Sequence, residues 1–381
     1  MFYNTMTNMK KKKILICYAD AGGGHKSVAT ALSAELSKNP EFEVEMVNIA
    51  KDYGSFLTKR FDIYYKILTA HFPYFWEKIC VKFPTYFPSV AKYVYEPIIW
   101  QLSKKSFKKF VAQNPADIYI STIHLYNAGL SNVKRKTGKN YKLITVVTDI
   151  AYIPYFWINQ YHDKIIFPTK EAFMHSKNLI KNIDSSKIDI LGLPISKDYY
   201  GKDFQSNVVK DPKRKLNILV TIGGEGLGEA YELCGILDEN LKGISIQVAA
   251  GKNQKLVEEI AGTKWNNNIS AFGWVPGLRE KYDWADIVIM KAGPTSIWEC
   301  IVLDKPMIIF DYIKGQEDGN VDFAINYGRA KYLRDFELIA ETLQDIHYKN
   351  IENKFSKGRF YSKSLAQTNW GKEIGTIISK S

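Results

Sequence analysis

Cysteine is scarce in this sequence. Cys17, Cys80, Cys234 and Cys300 are the four in 381 residues, far apart and without a C-x-x-C pair. That spacing argues against a zinc ribbon or disulfide scaffold and fits a reducing cytosol. No run of about eighteen apolar residues exists, so no spanning helix is expected. The apolar run after the basic start MFYNTMTNMKKKK is cut by Asp20, too short for a signal peptide, which leaves a soluble or membrane-associated chain. No D-x-D occurs either, which removes the carboxylate pair that can clamp a divalent cation. There is no short repeat and no low-complexity tract.

What is present is a folded composition with a strong positive bias. Hydrophobic residues make up 46% and charged residues 24%, and the length suits two domains of roughly 150–200 residues. The net charge of +12 invites a polyanion: nucleic acid, an anionic bilayer or phosphorylated substrates. Residues 53–110 carry ten Lys/Arg against three acids and 17 of the 52 aromatics, including YFW at 74–76. Rings and lysines interleaved this way suit the lipid headgroup region. A helical subdomain with an aromatic core would account for the rings but not for the charge bias. No helix-turn-helix, zinc or RNP signature accompanies the charge, so nucleic acid is not expected as a partner.

Short apolar runs alternate with amphipathic stretches, the pattern of βα units around a parallel sheet. In the first half strands are expected at 14–19, 42–49, 117–122, 142–149, 164–169 and 188–194, with helices after Gly24, through much of 55–112 and at 171–181. A polar, charged stretch within 196–215 reads as a hinge, giving a first domain at 1–200, a linker at 201–215 and a second domain at 216–355. The pattern restarts with strands at 217–224, 244–251, 269–275, 285–293 and 306–312. Two open sheets facing each other place a ligand in the cleft, at the carboxyl ends of their strands.

Three segments there carry chemistry. DAGGGHKS (20–27) has His25 where a P-loop needs glycine, and no third glycine for a dinucleotide fingerprint. A plain strand-to-helix turn explains one or two glycines. Gly23 and Gly24 running into His25 go further, putting backbone N–H groups and an imidazole at a positive helix end, where histidine can act as a base. TIGGEGLG (221–228) repeats the device around Gly224, as a phosphate approach or a flexible turn. KAGPTSIWE (291–299) reads as a helix start at Gly293 and Pro294, with Thr295 or Ser296 as its cap and room for a diphosphate. Glu299, one turn further in, is able to accept two ribose hydroxyls; a glutamate on a helix is equally often just solvated. DYIKGQEDGN (311–320) is dense in groups that bind sugar hydroxyls or make ordinary loops.

Taken together, GGGH, VTD (147–149), KIDILGLPI (187–195), VTIGGEGLG, AAGKNQKL (249–256), FGWV (272–275), KAGPTSIWE and DYIKGQEDGN resemble, in order, the monogalactosyldiacylglycerol synthases. These and the processive diacylglycerol glucosyltransferases belong to glycosyltransferase family 28. The resemblance covers about residues 13–335, and KAGP…E with GQE-x-GN is its most specific part. It implies a GT-B fold of two Rossmann-like domains facing a central cleft, with a C-terminal helix within 356–381 crossing back to the first domain. It also implies transfer of galactose or glucose from a UDP-sugar to diacylglycerol, giving a β-glycoside with inversion, without cofactor or catalytic metal, peripherally at the cytoplasmic face of an anionic membrane. On this sequence, Phe272 and Gly273 would receive uracil, Glu299 the ribose, and Gly293–Ser296 with Gly224 the diphosphate. Gln316, Glu317 and Asn320 would hold the hexose. His25 would be the base, with Asp149 orienting it or sharing the role. Gly23, Gly24, Tyr74, Phe75, Trp76 and Trp157 would lie with the acceptor and membrane. Where plant synthases carry a histidine five residues after that aspartate, this chain has Pro154, and KAGPGT becomes KAGPTS. Two enzymes of the same architecture are alternatives: the undecaprenyl-lipid N-acetylglucosaminyltransferase of peptidoglycan synthesis and UDP-N-acetylglucosamine 2-epimerase.

Overall fold

A computed structural model describes residues 11–20, 23–54, 58–158, 161–177, 179, 184–200, 215–226, 229–349 and 370–380. The apolar runs form two six-stranded parallel sheets. The first, in the order β2-β1-β3-β4-β5-β6, uses β1 (Lys12–Cys17), β2 (Phe42–Val47), β3 (Ile118–Ser121), β4 (Lys142–Val146), β5 (Lys164–Phe167) and β6 (Ile188–Ile190). The second, β12-β11-β10-β7-β8-β9, uses β7 (Leu216–Thr221), β8 (Ile244–Ala249), β9 (Asn268–Phe272), β10 (Ile287–Lys291), β11 (Pro306–Asp311) and β12 (Arg329–Tyr332). Strands covered on both faces read as continuous apolar runs, which is why β1, β3 and β10 were legible. The edge strand β12, RAKY, is short and mixed and gave no such signal.

The order of each sheet fixes where a ligand can lie. In the first sheet it reverses between β1 and β3, and in the second between β7 and β10. Crevices open at such switch points. The loops leaving β1, β3, β7 and β10 hold GGGH, Thr122, IGGE and AGPTS in turn. Helix α1 (Gly24–Leu36) follows the first of these.

Among its described residues, the basic, aromatic segment is mostly helical but not one helix. After α2 (Phe61–His71) come short turns, two of them π-helical at Trp76–Lys82 and Ala91–Tyr95, and then α3 (Glu96–Gln113). Pro73, Pro84 and Pro88 each stand in the first turn of a short piece, where the missing N–H costs least. The expected helix at 171–181 is shorter, Lys170–Ser176. The linker expected at 201–215 lies outside the described residues except for Lys215.

The two sheets meet through packed side chains. One apolar cluster runs from Ile14, Ile120 and Ile144 through Leu193 and Tyr199 to Val288 and Trp298. Helix Trp370–Lys380 lies on α1, burying Trp370, Ile374 and Ile378, and the Lys12 ammonium donates to the Ile378 carbonyl at 3.1 Å. A β-carbon on Gly371 would strike the Glu35 side chain at 2.5 Å, so the contact needs glycine there.

Candidate active site

Gly24 opens α1, and Gly293 caps α4, the helix Pro294–Val302 of the second domain. These two helix starts meet across the cleft. A β-carbon on Gly24 would lie 3.1 Å from the Thr295 hydroxyl, and one on Gly23 3.4 Å from the Gly224 Cα. Gly23 stands at φ 79° and Gly223 at φ 77°, where a side chain would be strained. Two positive helix ends, each with unpaired N–H groups, therefore point into one small space suited to an anion.

The expected cap is different. Gly293 is the N-cap, Pro294 occupies the first turn, and neither Thr295 nor Ser296 caps the helix. Having Pro294 in the first turn moves Thr295 inside the helix and turns its hydroxyl towards α1. That hydroxyl is buried and has no protein partner. A buried polar atom left so costs free energy until a ligand satisfies it.

His25 sits one residue into α1. Its Nδ1 lies 2.8 Å from the Thr122 carbonyl and 3.0 Å from the Thr148 hydroxyl. A carbonyl only accepts, so Nδ1 carries the proton and Nε2 keeps its lone pair. Burial pushes the imidazole down to about 4, which keeps it neutral near pH 7. His124 stands beside it, ring centroids 6.4 Å apart, and burial pushes that ring down to about 3.

Asp149 does not orient His25; the Thr122 carbonyl does. The Asp149 carboxylate accepts from the Trp157 indole instead. Burial pushes Asp149 up to about 7, the indole bond pulls it down, and the nearby Glu317 charge pushes it further up. Trp157 is fully buried behind the site, so it supports Asp149 rather than facing acceptor or membrane. Trp76 is also buried, its ring edge-on to Tyr65 at 5.2 Å. Tyr74 and Phe75 are exposed, as a membrane contact requires.

On the second domain Glu299 is 8% exposed. Burial pushes its carboxyl up to about 7, while the Tyr282 and Tyr199 hydroxyls beside it pull the other way. The Phe272 carbonyl is already taken by the Ala250 N–H at 2.9 Å, so of the FGWV pair Gly273 is the better candidate for a base. In the next loop Glu317 accepts from the Ile313 N–H at 2.7 Å, and burial pushes it up to about 7. The Asn320 amide donates to the Ala292 carbonyl at 2.9 Å, leaving its Oδ1 buried without a partner. Gln316 reaches across the cleft to accept from the Tyr65 hydroxyl at 3.2 Å. This loop is pinned to the first domain: a β-carbon on Gly319 would lie 3.0 Å from the Ala151 Cβ.

Sequence reasoning missed Thr122 and Thr148, which set the tautomer of His25, although Thr148 lies inside VTD. It also missed Tyr65, Lys66, Lys252 and Glu225, of which only the acid among the glycines of IGGEG was conspicuous. Among the described residues, no group of three or more His, Cys, Asp or Glu is placed to hold a metal ion.

Comparison with known proteins agrees with this architecture. Residues 25–195 match the monogalactosyldiacylglycerol (MGDG) synthase family, and residues 218–367 match the glycosyltransferase family 28 C-terminal domain. The monogalactosyldiacylglycerol synthase of Spinacia oleracea is 26% identical over 363 residues, 89% of this chain and 67% of that protein. Monogalactosyldiacylglycerol synthase 3 of Arabidopsis thaliana is 25% identical, over 90% of this chain and 75% of its own length. The chain spans about two thirds of the length of the soybean and spinach relatives. In fold it is similar to the crystal structure of Acinetobacter baumannii MurG, at TM-score 0.60 and 14% identity, covering 97% of this chain and all of that one.

Proposed function

We propose that the chain is a glycosyltransferase of the monogalactosyldiacylglycerol synthase type, as the matches over residues 25–195 and 218–367 support, and that it moves a hexose, galactose or glucose, from a UDP-sugar to diacylglycerol. The observation that carries this reading is the meeting of two glycine-opened helix starts beside a neutral histidine whose Nε2 is unprotonated. The donor diphosphate lies between α1 and the Pro294 helix, its charge met by N–H groups and by the Thr295 hydroxyl. Glu299 takes the ribose, and Gln316, Glu317 and Asn320 the sugar.

The chemistry follows from that placement. The acceptor hydroxyl gives its proton to His25 Nε2 as its oxygen bonds to the anomeric carbon. The bond from that carbon to the diphosphate breaks on the opposite face, UDP leaves with the electron pair, and the configuration inverts. Negative charge grows on the diphosphate as this happens, and preorganised helix ends stabilise it without reorganising.

The acceptor side supports a lipid. Most of the large hydrophobic residues left exposed among the described residues lie between Ile63 and Leu102, with Tyr74 at 73%, Tyr86 at 64% and Tyr93 at 74%. Exposed lysines stand among them, and no described helix is long and apolar enough to cross a membrane. Such a face binds peripherally to an anionic bilayer, here at its cytoplasmic side. Purified protein given labelled UDP-galactose or UDP-glucose with diacylglycerol liposomes should form a chloroform-soluble labelled product. If only UDP-N-acetylglucosamine and an undecaprenyl acceptor gave product, the reading would be wrong.

A further inference from the structure

Helix α2 presents two faces. Ile63, Tyr64 and Ile67 are exposed on the proposed membrane side. Tyr65 is buried, and its hydroxyl donates to Gln316 of the second domain. Lys66 also crosses the cleft and pairs with Glu225. The same carboxylate holds Lys252 at 2.7 Å. The Glu225 side chain is 6% exposed, whereas those of Lys66 and Lys252 are 35% and 46% exposed. Glu225 follows Gly224, against which Gly23 packs, so both ammonium groups stand at the corner where the helix starts meet. Lys252 reaches on to the Asp20 carbonyl at 3.5 Å, and the Asp20 carboxylate faces Lys26 at 3.5 Å. The unpartnered, buried Thr295 hydroxyl opens on the same corner.

Building on the donor-site reading above, we propose that Glu225 is an internal stand-in for the donor diphosphate. On binding, the UDP moiety takes Lys66 and Lys252 from it. A diphosphate brings two negative charges against one, and it also satisfies the helix N–H groups and the Thr295 hydroxyl, which Glu225 leaves unmet. The backbone around Glu225 is held in place, the Gly226 N–H donating to the Gly223 carbonyl at 3.1 Å and the Lys252 N–H to the Gly224 carbonyl at 3.0 Å, so the displaced carboxylate turns to water by rotation of its own side chain. Because Lys66 rides on the helix that faces the bilayer, seating that helix on lipid changes donor affinity. Membrane contact and donor binding thereby share one element.

The test is calorimetric titration of UDP into the full chain, in buffer and with vesicles of phosphatidylcholine and phosphatidylglycerol. Lys66→Gln should weaken UDP binding about tenfold, the size of a lost charge-assisted contact. Glu225→Gln should tighten it roughly three- to tenfold, because the competing carboxylate is gone. Vesicles should shift the affinity of the wild type and leave that of Lys66→Gln unchanged. An ion pair that only glued the domains together would make Glu225→Gln bind UDP more weakly or equally, and that result overturns the inference. So does Lys66→Gln binding UDP as tightly as a wild type that vesicles do not affect. A wild type that binds no UDP at all would sink the donor-site reading itself, and this inference with it.

Discussion

Asp149→Asn tests the electrostatics of the site in a quantity independent of turnover. The carboxyl is 3% exposed, and burial pushes it from 3.8 to about 7. The folded protein thus keeps this proton to a higher pH than the unfolded chain. Stability is intact below about pH 4 and is lost as the pH rises towards 7, the reverse of an ion-paired aspartate. Each pH unit in that window costs about 1.4 kcal/mol, so the ionised carboxylate destabilises by on the order of 4 kcal/mol at pH 8. Asparagine keeps an oxygen to accept from Trp157 but brings two new donors, a cost of about 1–2 kcal/mol. The net gain at pH 8 should be on the order of 2 kcal/mol. The amide does not titrate, so its cost cancels between pH values. The variant's advantage should grow by about 2–3 kcal/mol from pH 5 to pH 8. Urea denaturation of both proteins at the two pH values measures this directly. A difference that stays the same at pH 5 and pH 8 would show that Asp149 ionises as freely in the fold as in water.

His25→Ala should abolish transfer while leaving UDP affinity within a few-fold, because the base acts in the transition state; rate and calorimetric titration together check it. Glu299→Ala should weaken UDP binding by roughly 1–3 kcal/mol, and equal affinity would remove the ribose assignment. Glu299, pushed up to about 7, must be ionised to accept well, so UDP affinity should fall as the pH drops from 8 to 6, and Glu299→Gln should flatten that profile. Replacing Tyr86 and Tyr93 with serine should reduce co-sedimentation with anionic vesicles without changing UDP affinity, since both rings are exposed.

Much of this protein was legible in its sequence because the signals are local. A buried parallel strand needs an unbroken apolar run, as in ILIC and IVIM, and a tight turn against another backbone needs glycine, as at Gly23. Order along the chain placed GGGH, AGPTS and GQEDGN at strand ends, and hence in a cleft. The basic, aromatic bias of 53–110 needed no fold to be noticed. Tertiary structure decided how these parts work together. Thr122, not Asp149, sets the proton on His25, because β1, β3 and β4 lie side by side and bring their ends within hydrogen-bond distance. Trp157 turned inward for the same reason, as the partner of a buried carboxylate. Tyr65 and Lys66 reach Gln316 and Glu225 from far along the chain, and no spacing encodes that. Local sequence sets conformation and burial pattern; contacts between residues hundreds of positions apart exist only once the two sheets have packed, so only the packed structure reveals them.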